Sequence, residues 1–204
     1  LKELRVAAEG GALCWRESAA SAELVRYFAG HGVSLASGQI AEARPDAERL
    51  HRDLLRLAGD DGLAVVVDYG YAARRLYDGR GRHGGSLAVQ RAHRVSRDPL
   101  VEPGDRDLSA HVNWDDLRRA AASEGWREIG LTALAPFLVQ AGLVREMERL
   151  GVGEEADLDA RTVAERQEIK RLLDPDGMGS DLKVLVQGIG PLAEVAAEDL
   201  GSGI

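Results

Sequence analysis

The apolar run Gly62-Leu63-Ala64-Val65-Val66-Val67, leading directly into Asp68-Tyr69-Gly70-Tyr71, constrains this chain more than any other segment. A short continuous apolar stretch suits a strand covered on both faces, and open α/β sheets bind ligands just beyond the carboxyl ends of such strands. The pattern predicts a buried strand over 63–67, with Asp68 at the ligand-facing end; a turn or cap role would suit the same residue.

The flanking sequence predicts the rest of the fold. Residues 3–18 alternate loosely about Glu9-Gly10-Gly11, with Leu4, Val6, Leu13 and Trp15 as apolar members, and read as a hairpin. Apolar spacing is helical over 22–28 and 45–57, where Pro45 suits a first turn and Leu50, Leu54, Leu55 and Leu57 offer a core stripe. Residues 76–112 lack sustained periodicity and read as a long loop, a feature that in domains is usually functional or disordered. Asn113 then caps a helix to about Gly125, with Leu117, Ala120 and Ala121 facing inward. A strand over 126–131, a helix over 132–150, a polar stretch at 151–156, a helix over 158–173, the turn Asp174-Pro175-Asp176-Gly177 and a strand over 182–187 follow. This alternation predicts an α/β fold on a mainly parallel sheet.

Composition narrows the function classes. A chain of 204 residues, 45% hydrophobic, is long enough for one substantial core. Its net charge of -8 argues against unspecific nucleic-acid binding. No run approaches the ~20 apolar residues of a membrane helix, and no signal-peptide pattern opens the chain, which begins at Leu1 rather than Met. Cys14 stands alone, so neither an intrachain disulfide nor a cysteine-rich zinc site is available, and a reducing compartment fits.

Several motifs are tempting and mostly fail. Gly188-Ile189-Gly190 follows a strand, but the complete strand-helix-strand unit and the acidic residue ~20 positions onward that a dinucleotide loop needs do not fit before Ile204, so it reads as a frayed C-terminal turn. His83, His93, Asp107 and His111 lack the paired spacing of a zinc site, and no metal is expected. Ser86 and Ser109 lack a nucleophile elbow. Arg74, Arg75, Arg80, Arg82, Arg91, Arg94 and Arg97 form a basic stretch that is either a solvated surface or a recognition surface for an anionic group.

The order Val66-Val67-Asp68-Tyr69-Gly70-Tyr71, Gly85-Ser86-Leu87, His93-Arg94, Asp98-Pro99-Leu100, Pro103-Gly104 and Asp107-Leu108-Ser109-Ala110-His111-Val112 resembles the MidA-type family of S-adenosylmethionine-dependent methyltransferases. Ile40-Ala41-Glu42, Phe137-Leu138, Gly142-Leu143, Met178-Gly179 and Lys183-Val184-Leu185 extend the resemblance over nearly the whole chain. Ser86 and Ser109 stand where Thr is usual, mild departures that keep a hydroxyl; Gln39 stands where Glu is frequent, Leu182 where Phe is usual, and Leu134, where Gln is common, removes a polar group.

The resemblance implies a Rossmann-like class I methyltransferase sheet, of which residues 1–190 would be the C-terminal part and 191–204 a tail. Strands at 63–67, 126–131 and 182–187 would be its fifth, sixth and seventh, the last running antiparallel to its neighbours. The glycine-rich motif that holds the cofactor in the family is not among these residues, so the chain is expected to carry the substrate side. The implied reaction is methyl transfer from S-adenosylmethionine to a protein side chain, arginine in mitochondrial relatives that act on a subunit of respiratory complex I. Asp68 and then Asp107 are candidates for the carboxylate that orients the acceptor guanidinium, whose charge is delocalised and whose pKa exceeds ~12. His111 would either take a proton after transfer or orient Asp107. Tyr69, Gly70, Tyr71, Gly85, Ser86 and His93 would line the acceptor channel, the tyrosines through their ring faces or simply as packing residues. The expected partner is a protein substrate, with no nucleic acid and no membrane span. A cytoplasmic location is expected, mitochondrial in eukaryotic relatives. The rival reading is a non-catalytic assembly module without cofactor, and an open sheet edge would make the segment self-associate or melt early.

Overall fold

Gly10 and Gly11 close the first element. Both have positive φ, 58° and 84°, the backbone that a two-residue hairpin turn demands. The computed structural model describes residues 1–91, 94–149, 160–174 and 176–200, and it forms two compact units: Leu1–Arg49 with Tyr71–Asp116, and Leu50–Gly70 with Leu117–Ile204.

In the first unit, β1 (Lys2–Glu9) and β2 (Ala12–Ala19) pair antiparallel from Lys2 opposite Ala19 to Glu9 opposite Ala12. Helix α1 (Ala22–Gly30) begins where the Ser21 side chain accepts from Leu24 N–H, and it buries Tyr27 and Phe28 against Ala73, Leu76 and Tyr77. Helix α2 (Pro45–Leu57) has the predicted bounds and leads from this unit into the second. The segment expected as a long loop contains α3 (Ala73–Leu76) and a small antiparallel sheet of β4 (Ala88–Arg91), β5 (Arg94–Ser96) and β6 (Asp107–Ser109), in the order β5-β4-β6, and it leads into the two-residue β7 (Val112–Asn113). Strands of three or four residues are too short to display a period of two, which is why the sequence showed none.

The second unit is built on β3 (Gly62–Tyr71, its last residue in the first unit), β8 (Arg127–Ala133) and β9 (Leu182–Ile189). β9 lies between β3 and β8 and runs antiparallel to both. The flanking strands therefore point the same way without touching, and the parallel ladders expected of a mainly parallel sheet are absent among these three strands. The fully covered strand is also a different one. Val184, Leu185, Val186 and Gln187 of β9 are at most 1% exposed, whereas Leu63, Val65, Val67 and Tyr69 on one face of β3 are 37–52% exposed.

Helix α4 (Trp114–Ser123) buries Leu117, Ala120 and Ala121 as predicted, and Ala121 packs with Leu55 and Trp126. Of the anticipated α2 leucine stripe only Leu55 is buried. Leu50, Leu54 and Leu57 are exposed, and the second inward position belongs to His51, whose Nε2 meets Gln187 Oε1 at 2.7 Å. The helix expected over 132–150 is broken: β8 continues through Ala133, and α5 (Leu134–Leu138) is separated from α6 (Val144–Arg149) by a wide turn in which Gly142 has φ 99°. Helices α7 (Ala160–Leu173) and α8 (Met178–Asp181) follow; residues 158–159 and the polar stretch at 151–156 lie outside the described residues. The supposed frayed turn after 188 is helix α9 (Gly190–Leu200), held because Ala193 and Ala196 are buried. Among the described residues no helix is long and apolar enough to cross a membrane.

Candidate functional site

The loop Gly85-Ser86-Leu87 is shaped around one carboxylate. Glu42 accepts from Ser86 N–H at 2.8 Å, Ser86 Oγ–H at 2.9 Å and Leu87 N–H at 3.1 Å. Gly85 makes the approach possible: its φ is +74°, and a Cβ there would collide with Glu42 Oε1. A single parallel bridge between Ile40 and Gly84, with Ile40 N–H donating to His83 O at 2.9 Å, brings the Glu42 segment alongside. Ser86 Oγ in turn accepts from His111 N–H at 3.1 Å, so one carboxylate fixes the loop and, through it, the main chain at His111.

The imidazole of His111 is held separately. Its Nδ1 lies 3.0 Å from Arg82 Nη1, and its ring meets that of Tyr71 edge-on with centroids 5.4 Å apart. Tyr71 also carries two cations, Arg82 at 3.9 Å and Arg75 at 4.7 Å from the ring centroid. Part of the predicted basic stretch thus packs on the site itself. Arg91 instead pairs with Glu102, which also receives Arg106 at 2.8 Å.

Behind this site lies a buried polar cluster. Tyr27 Oη donates to Asp116 Oδ2 at 2.6 Å, His31 Nε2 meets Asp116 Oδ1 at 2.7 Å, and Asn113 Nδ2 donates to Tyr27 Oη at 3.0 Å. Tyr77 Oη lies 2.9 Å from Tyr27 Oη and 3.0 Å from Glu42 O, linking the cluster to the loop anchor. Burial, followed by the bonds to Asp116 and Tyr77, pushes the Tyr27 hydroxyl far above its ordinary range. Burial first, then the nearby Asp116 and Glu42 charges, raises Tyr77 to about 12. His31, Glu48 and Asp116 each place a donor atom within 4.8 Å of the others, a set able in principle to hold a cation, but the His31 and Asp116 atoms already bond each other.

The structure gathers Tyr71, Gly85, Ser86 and His111 and leaves other sequence candidates elsewhere. Asp68 does not follow the strand end: β9 extends the ladder, and Asp68 sits within β3 opposite Lys183, exposed, with Oδ1 accepting from Tyr69 N–H at 2.7 Å. Tyr69 is exposed and Gly70 buried in the same strand. Asp107 is exposed on β6 opposite Gln90 and makes no side-chain hydrogen bond among the described residues, so the pairing with His111 is not formed. His93 lies outside the described residues, and His83 makes only a 3.3 Å contact to Ser37 O. Sequence reasoning gave no role to Glu42, for which the motif Ile40-Ala41-Glu42 was the available signal, and placed Arg82 only in the basic stretch. An open cavity of about 610 Å³ lies between the hairpin at Leu13 and Trp15 and the segment Arg97–Val101, with none of these site residues in its lining.

The glycine pattern at 188–190 is closed to ligands. A Cβ at Gly190 would come within 2.5 Å of Asp60 O, one at Gly188 within 2.6 Å of Ala193 Cβ, and the Asp61 carboxylate already accepts from Leu192 N–H at 2.8 Å.

Comparison with known proteins bears on the family and the fold. A family described as "Putative S-adenosyl-L-methionine-dependent methyltransferase" matches residues 1–132. The protein arginine methyltransferase NDUFAF7 homolog, mitochondrial, of Drosophila melanogaster is 32% identical over 143 residues, covering 68% of this chain and 29% of that protein. A COG1565 superfamily member from Burkholderia thailandensis, bound to S-adenosyl-homocysteine, superposes with a TM-score of 0.79 at 25% identity, over 96% of this chain and 50% of that one. A native crystal structure of a COG1565 superfamily protein from the same organism gives 0.80 at 25% identity, over 94% and 50%. The chain spans half the length of these structures and less than a third of the curated relative.

Proposed function

Because the chain belongs to the S-adenosyl-L-methionine-dependent methyltransferase family whose model matches residues 1–132, we propose that it forms the acceptor side of a protein methyltransferase, with arginine as the methylated residue. The residues at 188–190 do not fit an adenosyl group, so the main cofactor contacts are assigned to the part of the relatives' length that this chain does not span. When bound, S-adenosylmethionine would supply the electrophilic methyl group and leave as S-adenosylhomocysteine, and the proton lost by the acceptor guanidinium would pass to the Asp68 carboxylate or to solvent.

The observation that carries the acceptor assignment is the Asp68 carboxylate. One oxygen is fixed by Tyr69 N–H, while the other has no hydrogen-bond partner among the described residues and the side chain is exposed. A guanidinium is a poor nucleophile because its charge is shared over three nitrogens. A carboxylate bonded to two of its N–H groups draws that charge toward itself and aims the third nitrogen, and fixed aim is worth several kcal/mol in a displacement reaction. Of the other candidates, His111 is held by Ser86 and Arg82 and Asp107 is the reserve carboxylate; both belong to the first unit.

The test is transfer of labelled methyl from S-adenosylmethionine to arginine-containing protein by the intact enzyme. Asp68→Asn is expected to lower kcat by about 100-fold, the scale seen when one preorganised electrostatic group is removed. Full activity in that variant would overturn the assignment. A chain lengthened to match its relatives that fails to bind S-adenosylmethionine in a calorimetric titration would favour the assembly-module alternative.

A further inference from the structure

We propose that arginines of the first unit that lack a carboxylate partner, centred on Arg75, Arg82 and Arg97, form a docking surface for an acidic segment of the acceptor protein. The identity of that protein as a methyl acceptor rests on the methyltransferase reading; the affinity for a carboxylate-bearing chain does not.

The chain has carboxylates to spare. Acidic residues outnumber Lys and Arg by 34 to 26, and elsewhere arginines take them: Arg16 pairs with Glu9, Arg56 with Glu124, Arg118 with Glu128 and Arg149 with Glu146. Residues 71–97 hold seven arginines and a single acidic residue, Asp78. Arg91 pairs with Glu102, but Arg74, Arg75, Arg80, Arg82, Arg94 and Arg97 make no ion pair among the described residues. The unit's own carboxylates do not neutralise them. Glu42 accepts from Ser86 and Leu87, Glu102 receives Arg91 and Arg106, Asp78 Oδ1 accepts from Arg80 N–H at 3.1 Å and Asp98 Oδ1 from Leu100 N–H at 3.0 Å. Asp105 and Asp107 are exposed and pair with none of the six arginines.

Three of these cations are drawn together. Arg82 and Arg75 lie over the same Tyr71 ring, 3.9 and 4.7 Å from its centroid, and Arg97 Nη1 lies 3.4 Å from where a Cβ would stand on Gly84, two residues beyond Arg82. Arg75 and Arg97 are exposed, and Arg82, half-buried, adds its charge. Like charges repel over a Debye length, about 8 Å at physiological ionic strength, and an anionic partner removes that cost. Each exposed guanidinium offers a planar fork of donors that matches a carboxylate.

A polypeptide suits the surface better than a nucleic acid. Arg97 also borders the cavity lined by Leu13, Trp15, Leu100 and Val101, which a protein side chain is able to enter and a phosphate backbone has no use for. A phosphate backbone, with a charge every ~1.7 Å of duplex, would meet Asp98, Glu102, Asp105 and Asp107 next along the chain, and the Tyr71 ring on which a base would stack already carries two arginines. The surface repels an acceptor arginine and attracts carboxylates, so it selects acceptor proteins by an acidic segment apart from the methylated residue.

The experiment is binding of fluorescein-labelled poly-L-glutamate to the full chain, followed by anisotropy at low ionic strength. Wild type is expected to bind, and the double variant Arg75→Gln, Arg97→Gln to bind at least about tenfold more weakly, the scale of losing hydrogen bonds to charged groups. Lys170→Glu, at an exposed position of α7 in the other unit, makes the same change in net charge and is expected to alter binding by less than about twofold. Equal losses in the two variants would overturn the proposal, as would no binding by wild type or tighter binding of a labelled oligothymidylate. Because Arg75 packs on Tyr71, a ¹H–¹⁵N titration of wild type gives a reading independent of the variant's folding: amide shifts at residues 74–75, 80–84 and 97 support the surface, and shifts confined to other residues overturn it. In the intact enzyme, with a peptide of one arginine among glutamates as acceptor, the double variant is expected to raise KM about tenfold, with most of the loss in kcat/KM coming from KM. A loss confined to kcat would remove the docking role. Wild type that binds polyglutamate but transfers no methyl group would instead defeat the methyltransferase reading and leave the docking surface standing.

Discussion

Replacing Glu42 with Gln tests the anchor on which the site is built. The carboxylate accepts three hydrogen bonds from Ser86 and Leu87, and an amide has only one accepting oxygen. In the better orientation, the amide oxygen keeps both Ser86 bonds and its NH₂ faces Leu87 N–H, so one bond is lost and two donors confront each other. In the other orientation two bonds are lost. Hydrogen bonds to a charged group contribute ~1.5–3 kcal/mol, and a stranded, partly buried N–H adds to the loss, so Glu42→Gln is expected to destabilise the loop by about 3 kcal/mol. At 1.4 kcal/mol per factor of ten, amide exchange at Ser86 and Leu87 should accelerate roughly 100-fold. His111 N–H, held by Ser86 Oγ, should follow them, whereas Leu185 and Val186 in the core of β9 should not change. Native-state hydrogen exchange measures all five amides in one experiment. Unchanged protection at Ser86 and Leu87 would refute the reasoning, because it would mean that the carboxylate is dispensable to the loop's order.

Asp116→Asn should cost about 3 kcal/mol and lower Tm by roughly 10 °C, because it removes the charged partner of Tyr27 and His31 at a site whose His31 and Asp116 side chains are only 3% and 2% exposed; a thermal melt within 2 °C of wild type would contradict this. Alkaline stability should follow the tyrosines. The folded-state value for Tyr77 is raised to about 12, against an ordinary 10, so its contribution is complete below pH 10 and is lost as pH rises from 10 to 12. The loss is on the order of 1.4 kcal/mol per pH unit for Tyr77, with Tyr27 raised in the same direction. Urea melts of wild type and Tyr77→Phe across that window should differ in slope, and equal slopes would remove Tyr77 from the account.

The sequence made local features legible and missed what depends on distant partners. The hairpin turn at Gly10-Gly11, the Ser21 cap and the inward face of α4 each follow from a few adjacent residues, and each is present. The apolar run at 63–67 predicted a strand but not its end or its covering, because β9 decides both: the ladder continues to Tyr69 opposite Leu182, and it is β9 that is enclosed. Polar tertiary contacts leave no periodic trace. Glu42 and Ser86 are 44 residues apart, Tyr27 and Asp116 are 89 apart, and His51 and Gln187 are 136 apart. Of the residues in the motif order, Tyr71 and Ser86 contact His111 in the structure and Gly85 adjoins Ser86, while Asp107 pairs opposite Gln90 on β6.

How the described residues of 72–91 and 94–113 hold their shape with so little apolar patterning follows from these same contacts. Ala73 N–H donates to the Asp115 carboxylate at 2.8 Å, Tyr77 Oη reaches Glu42 O, Gly84 bridges Ile40, Ser86 and Leu87 hang on Glu42, and His111 hangs on Ser86. Two residues beyond His111, Asn113 is tied through Tyr27 to Asp116. His111 therefore sits between two carboxylate-centred anchors, one acting through Ser86 and the other through Asn113. Such anchoring is directional in a way that apolar packing is not: a lost hydrogen bond changes where a group points as well as how firmly it is held. The proposed acceptor role of His111 would draw on that property, because the polar contacts that shape the connection also fix where its main chain lies.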